Sequence, residues 1–219
     1  MKKPDINEEN TIPVFDGKFV RVYDLQYREG KHYFNASRRA KEDLVCLKDD
    51  EAFRRMLPDA VTCFVILRVQ GGEPRLLLSK EFRYPANRFL TSPPAGLIDK
   101  ADAESENPVE SAFIREVYEE TGLRIDSVES VEIVNPLLFS TPGLSDESNA
   151  LACAVLEVAD LSGLTKDHAE DSECFDGFLQ VTRREAEILL QNGRDKAGNF
   201  YSVYTWCALM WFLSGRWDR

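Results

Sequence analysis

Basic charge is scarce in this chain: 27 Lys and Arg stand against 38 Asp and Glu, a formal net charge of −11. That balance argues against a general nucleic-acid surface or an anionic-membrane surface, since both need Lys and Arg stripes. It does not exclude an anionic substrate, because bound metal ions reverse a local field. Histidine is nearly missing, and His32 and His168 each read as a lone surface residue. The five cysteines (46, 63, 153, 174 and 207) are odd in number and have no metal-type spacing. Cys63 and Cys153 lie in apolar strand-like runs, where a thiol behaves as a small hydrophobe. With no signal-peptide pattern, this usage points to a reducing cytoplasm. Long hydrophobic runs are missing too; Tyr204 to Leu213 is too short to span a bilayer. There is no internal repeat, low-complexity tract or heptad run, and no basic helix-turn-helix.

What is present suits a globular protein with one sizeable core or one core plus an appendage: 219 residues, 43% hydrophobic and 30% charged. Residues 1 to 11 are polar and read as frayed. Lys18 to Arg28 alternates apolar and polar residues, and Glu29-Gly30-Lys31 turns it back towards His32-Tyr33-Phe34, a hairpin. A further strand is expected at Leu44 to Leu47. Val61 to Val69 reads as a buried strand, Gly71-Gly72 as a hairpin turn, and Arg75 to Tyr84 as the returning strand. After a long loop, a helix is expected over Pro108 to Thr121, with Pro108 in its first turn. Strands follow at Val131 to Phe139 and Ala150 to Val158. Thr182-Arg183-Arg184-Glu185 is a capping box opening a helix through Gln191, which Gly193 stops. A last, aromatic-rich helix is expected over Asn199 to Ser214. This alternation predicts a mixed sheet between helices.

The run Arg115-Glu116-Val117-Tyr118-Glu119-Glu120-Thr121-Gly122 carries the chemistry. On a helix, Glu116 lies one turn from both Glu119 and Glu120, so three carboxylates share a face. Like charges at that spacing repel by a few tenths of a kcal/mol per exposed pair (~0.2–0.5). A hard divalent cation such as Mg²⁺ is the natural guest, because it takes carboxylate oxygens together with substrate phosphates. Gly122 supplies the left-handed residue that ends the helix. A merely solvated acidic face is the alternative. The whole pattern Arg-Glu-x-x-Glu-Glu-x-Gly, however, arises by accident in on the order of one chain in a few thousand of this length.

This run resembles the helical half of the Nudix box, Gly-x5-Glu-x7-Arg-Glu-aliphatic-x-Glu-Glu-x-Gly-aliphatic. Pro94-Ala95-Gly96-Leu97-Ile98-Asp99 is similar to the start of the box in the ADP-ribose and nucleotide-sugar branch. Gly96 stands nineteen residues before Arg115, where the strict box has fourteen, so the loop carries five extra residues. Asn107 then falls where the box puts its first Glu, and Glu106 misses that register by one. Outside the box, Glu81-Phe82-Arg83-Tyr84-Pro85 resembles a strand end that offers an Arg to substrate. Thr141-Pro142-Gly143-Leu144-Ser145-Asp146-Glu147 is similar to a turn of ADP-ribose pyrophosphatases, and Glu170-Asp171-Ser172-Glu173 resembles their acidic loop. Ser92-Pro93 stands where many relatives have Glu-Leu.

The resemblance implies an α/β fold, the Nudix α/β/α sandwich with a mixed sheet. A β-rich segment over 1–57 would form a small antiparallel sheet packing in a homodimer, with the Nudix domain over 58–219. It implies hydrolysis of the pyrophosphate bond of ADP-ribose or a related nucleoside diphosphate-X compound, giving a nucleoside monophosphate and a phosphorylated X. Nucleotide sugars or nucleoside triphosphates are the alternative substrates, and a non-catalytic nucleotide sensor is the alternative role. The sensor reading fits poorly with three retained box acids. Magnesium, or manganese in its stead, would be held by Glu116, Glu119, Glu120 and the Ala95 carbonyl, with Glu173. Glu119 and Glu120 are also catalytic candidates. The water-activating carboxylate would be Asp171 or Glu173, with Glu147 as rival. Arg83, Gly143 and Glu147 are the substrate-binding candidates; Arg83 also reads as an edge-strand charge. Gly96, Arg115 and Gly122 are the structural box residues, and Arg115 reads either as a phosphate clamp or as an ion pair orienting a box Glu.

Overall fold

A computed structural model describes residues 3–168 and 174–218. The chain divides into two compact units, one of Met1–Asp59 with Leu137–Asn149, the other of Ala60–Pro136 with Ala150–Arg219.

The first unit is built on an antiparallel sheet in the order β1-β2-β3, from Thr11–Asp16 (β1), Arg21–Arg28 (β2) and Lys31–Ser37 (β3). Tyr23 and Leu25 of β2 point to one side, where they pack with Leu44. Residues of opposite parity point away, and there Ile12, Phe15 and Phe34 are exposed. Strand β1 went unread because Ile-Pro-Val-Phe lacks polar alternation: only Thr11 of that strand is buried, and Pro13 sits at an edge that tolerates it. The strand expected at Leu44 to Leu47 is instead a pair of 3-10 turns, Lys41–Asp43 and Val45–Leu47. Leu44 is buried there as a plug, not as one rung of a ladder. A short helix, Asp50–Arg55 (α1), follows, with the Asp49 side chain accepting from the amides of Glu51 and Ala52.

The larger sheet has seven strands. Ala60–Val69 (β4), Arg75–Arg83 (β5), Arg88–Ser92 (β6), Ala95–Leu97 (β7), Glu132–Phe139 (β8), Ser148–Val158 (β9) and Phe175–Val181 (β10) run in the order β10-β5-β4-β9-β8. Strand β6 adds to β5 and β7 to β4, so the expected long loop carries two short strands and a helical turn, Lys100–Ala103 (α2). The long helices are Pro108–Thr121 (α3), Arg183–Asn192 (α4) and Val203–Ser214 (α5). Val61, Cys63, Val65 and Leu67 of β4 and Leu77 of β5 form a core with Ala112, Phe113 and Val117 of α3. The alternate residues Phe64, Ile66, Leu76 and Leu78 are buried on the other face, and α5 lies against β4, β5 and β6. A mixed sheet between helices results. Helix α5 begins later than expected because the Ser202 side chain accepts from the Thr205 amide, while Asn199 donates into a turn closed by Asp195. No helix among the described residues is long and apolar enough to cross a membrane.

Candidate active site

Helix α3 presents the acids. Pro108 opens it without wasting an amide, and Gly122 closes it at φ 75°, its N–H donating to the Tyr118 carbonyl at 2.8 Å. A β-carbon at Gly122 would also press on Thr165 Cγ2 at 2.6 Å, a second reason for glycine. Ala112, Phe113 and Val117 anchor the inner stripe of the helix in the core. Glu116 and Glu120, one turn apart, border that stripe and are only 7% and 2% exposed. Burying two carboxylates costs several kcal/mol per ion unless partners compensate (about that much after relaxation). The partners are visible. The Ala95 amide donates to Glu120 Oε1 at 3.0 Å, and Arg115 Nη1 donates to Glu116 Oε1 at 2.7 Å.

Arg115 is the hub. The same Nη1 donates to Glu119 Oε2 at 2.9 Å, and Nη2 donates to the Leu97 carbonyl at 2.8 Å. Nη2 and Nε also donate to Asp102 Oδ2, at 2.7 and 3.2 Å. Burial works against the charge of this guanidinium, but its hydrogen bonds to Asp102 and Glu116 outweigh that and raise its pKa further. Asp102 lies at the third position of α2 and completes a capping box: its amide donates to Asp99 Oδ1, and its own Oδ2 accepts from the Asp99 amide. The Asp102 amide, followed by the nearby Arg115 charge, holds the Asp99 carboxyl below its usual range despite desolvation.

Counted back from Arg115, the first acid of the box falls on Asn107, and the structure puts a different residue in that role. Asn107 only precedes α3, without a side-chain cap, and the buried acid on Arg115 is Asp102. Asp102 stands six residues after Gly96, the spacing of the strict box counted forwards, so the five additional residues follow it. Gly96 has its own physical reason. A methyl group there would overlap both carboxylate oxygens and Cδ of Glu116, so only glycine leaves the cradle in which that carboxylate lies.

Arg83 ends β5, and its Nη2 pairs with Glu81 Oε2 at 2.5 Å. Gly143 and Glu147 belong to the first unit. There Tyr33 Oη donates to the Gly143 carbonyl at 2.7 Å, and Arg38 Nε donates to Glu147 Oε2 at 2.9 Å. Glu170, Asp171, Ser172 and Glu173 lie outside the described residues. His32 sits 2.7 Å from Asp24 Oδ2, and the His168 ring stacks on Tyr118 with centroids 4.6 Å apart.

Among the described residues, no three His, Cys, Asp or Glu side chains converge as a ready-made metal cluster, and each box acid turns an oxygen to Arg115 or to the Ala95 amide. The donor chemistry fits all the same. Glu116, Glu119 and Glu120 supply hard oxygens from one helical turn, and the glycine-made cradle seats one of them. Their field reaches Cys63 behind them: burial pushes that thiol well up, and Glu120 and Glu116 push it further. A concentration of buried negative charge is what a cation offsets.

A mixed sheet between helices, with a glycine-cradled acidic helix tied by an Arg–Asp pair, defines a Nudix architecture. The NUDIX domain pattern matches residues 56–204, more than half of the chain, and the chain belongs to the Nudix family. It is 30% identical over 132 residues to an uncharacterised Nudix hydrolase of Schizosaccharomyces pombe, covering 59% of this chain and 60% of that one. It is 31% identical over 105 residues to an ADP-ribose pyrophosphatase of Saccharomyces cerevisiae, covering 48% and 40%. To an ADP-ribose pyrophosphatase of Bacillus subtilis it is 27% identical over 190 residues, covering 84% of each. The match thus spans 60% and 40% of the two fungal relatives' lengths. A crystal structure of an ADP compounds hydrolase shares the fold, with a TM-score of 0.57 at 17% identity over 99% of this chain and 95% of that one.

Proposed function

We propose that this chain hydrolyses the pyrophosphate bond of ADP-ribose or a related nucleoside diphosphate-X compound, releasing a nucleoside monophosphate and a phosphorylated X. The observation that carries this reading is the pair of buried carboxylates, Glu116 and Glu120, held ready by Gly96, Ala95 and the Asp102–Arg115 pair. Two relatives named ADP-ribose pyrophosphatase support the choice of substrate over nucleotide sugars and triphosphates. Magnesium, with manganese as substitute, is the proposed cofactor, held by Glu116, Glu119, Glu120 and the Ala95 carbonyl. When bound, such an ion lowers the pKa of a coordinated water and offsets phosphate charge. The chain's own groups do the rest. Arg115, fixed by Asp102, orients Glu116 and Glu119, while Arg83, half-exposed at its strand end, offers a guanidinium to an anionic substrate. The proton acceptor for the attacking water is proposed among Asp171 and Glu173.

The test is a magnesium-dependent hydrolysis screen over ADP-ribose, nucleotide sugars, dinucleotides and triphosphates, with Glu120→Gln beside the parent. The variant is expected to lose at least about a hundredfold in kcat while keeping its circular dichroism spectrum. Parent-like turnover would remove the assigned metal ligands. We further propose a homodimer through the outer face of β1-β2-β3, where Ile12, Phe15 and Phe34 are exposed together.

A further inference from the structure

The hairpin joining β5 to β6 sets two arginines side by side. Arg83 and Arg88 form the last rung of that ladder, directly opposite one another. Opposed residues of an antiparallel pair point to one face, with β-carbons about 4.5–5.5 Å apart. Arg83 alternates along β5 with Glu81, Ser79 and Leu77, and Leu77 packs in the core with Ala112, Phe113 and Val117 of α3. The arginine rung therefore belongs to the side of the sheet that carries α3. From Arg88, strand β6 runs to Ser92 over about 17 Å. Two prolines then lead to Ala95, whose amide donates to Glu120.

Like charges directly opposite in a ladder destabilise it, yet the turn holds this pair together. Pro85 lies in the 3-10 turn Tyr84–Ala86, and the Asn87 amide donates to the Tyr84 carbonyl at 3.1 Å. Asn87 takes φ 51°, among the described residues the one non-glycine position with positive φ. On the opposite face Phe82 and Phe89 meet edge to face with centroids 5.3 Å apart, and Tyr84 packs on Phe82 at 5.2 Å. Compensation of the charge is small. Arg83 gives Nη2 to Glu81, and Arg88 gives Nη1 to the Asn87 carbonyl at 2.7 Å. Among the described residues no acid pairs with Arg88, and both side chains are exposed.

We propose that Arg88 is a second substrate-binding arginine, forming with Arg83 a clamp on a phosphoryl group. Each guanidinium is a planar fork of N–H donors that matches phosphate oxygens, and an anion between the two relieves their repulsion. That the phosphoryl group belongs to a nucleoside diphosphate-X substrate rests on the proposed function, whereas binding of a phosphoryl group by the pair does not.

The experiment has two arms. First, the α,β-methylene analogue of ADP, whose bridge resists hydrolysis, is titrated calorimetrically into the full-length protein with magnesium. The parent is compared with Arg88→Gln, Arg88→Lys and, as a control for net charge, Arg184→Gln on α4. Saturable binding in the parent is expected, weakened about tenfold in Arg88→Gln and unchanged in Arg184→Gln. Arg88→Lys, which keeps the charge without the fork, should fall between the parent and Arg88→Gln. Arg88→Gln should melt no lower than the parent, because it removes a like-charge rung; a lower melting point marks a structural arginine and overturns the clamp. Binding that is absent in the parent, equal in Arg88→Gln, or weakened as much by Arg184→Gln overturns it too. Second, with the substrate found in the screen, Arg88→Gln is expected to raise KM about tenfold with a smaller change in kcat. Analogue binding through Arg88 in a chain that hydrolyses nothing sinks the functional reading and keeps the clamp. Hydrolysis with KM and analogue affinity indifferent to Arg88 does the reverse.

Discussion

Asp102 and Gly96 touch the proposed reacting centre only through other groups, yet each is set by a hard physical constraint. Asp102 Oδ2 accepts from the Asp99 amide and twice from Arg115, so Asp102→Asn keeps the shape and removes the charge that holds the guanidinium. If Glu116 and Glu119 hold metal as proposed, loss of such an outer partner costs about 10–100-fold in metal affinity or activity. A magnesium titration of the hydrolysis rate should show the loss, with melting checked in parallel. Gly96→Ala drives Glu116 out of its cradle, and a displacement near 1 Å costs about a hundredfold in rate. Its kcat should fall accordingly in steady-state kinetics. The acids of α3 were legible because all fall within one short run, where spacing alone defines a face. Asp102 was not, because counting back from Arg115 crosses the five additional residues and lands on Asn107, whereas counting on from Gly96 lands on the right carboxylate.

Helix ends were read most accurately where their chemistry is local. Pro108 and Gly122 bound α3 where expected, and Thr182 with Glu185 opens α4 by the reciprocal hydrogen bonds of a capping box. Thr182→Ala should cost about 1 kcal/mol of stability in urea unfolding. Glu185 adds a pH signature. The Thr182 amide holds its pKa below the ordinary value, so its contribution is complete above that value and is lost as pH falls through the depressed one. The gap between the parent and Glu185→Gln should accordingly shrink on acidification; a gap that widens there contradicts the assignment. Strand β10 stayed unread because Gly177, at φ 81°, falls inside its register shift against β5 and interrupts the alternation that periodicity needs. Strands β6 and β7 are too short to show a period, and pairing with β5 and β4 makes them.

At the scale of the molecule, the resemblance implies a division into residues 1–57 and 58–219, whereas Leu137–Asn149, far along the chain, groups with the first unit. That grouping is a matter of tertiary contact: the Val45 amide donates to Asp146 Oδ2 at 3.2 Å, and Arg39 Nη2 and the Ser148 amide both donate to Asp59 Oδ2, at 2.7 and 2.8 Å. The outer face of β1-β2-β3 carries the proposed homodimer. Phe15→Glu with Phe34→Glu should convert a dimer to a monomer in light scattering, without loss of helical signal. A mass unchanged from the parent's removes that face as the interface.

The footing of the turn at 141–147 has a practical corollary for anyone trimming this protein to its homology-defined limits. Tyr33, Arg38 and Val45, which tether Gly143, Glu147 and Asp146, all precede residue 56, where the family match starts. The match also stops at residue 204, just short of Thr205, whose hydroxyl donates to the Thr91 carbonyl from the second residue beyond the start of α5. Cloning boundaries drawn from kinship would therefore amputate both the moorings of that hairpin bend and nearly all of the last helix.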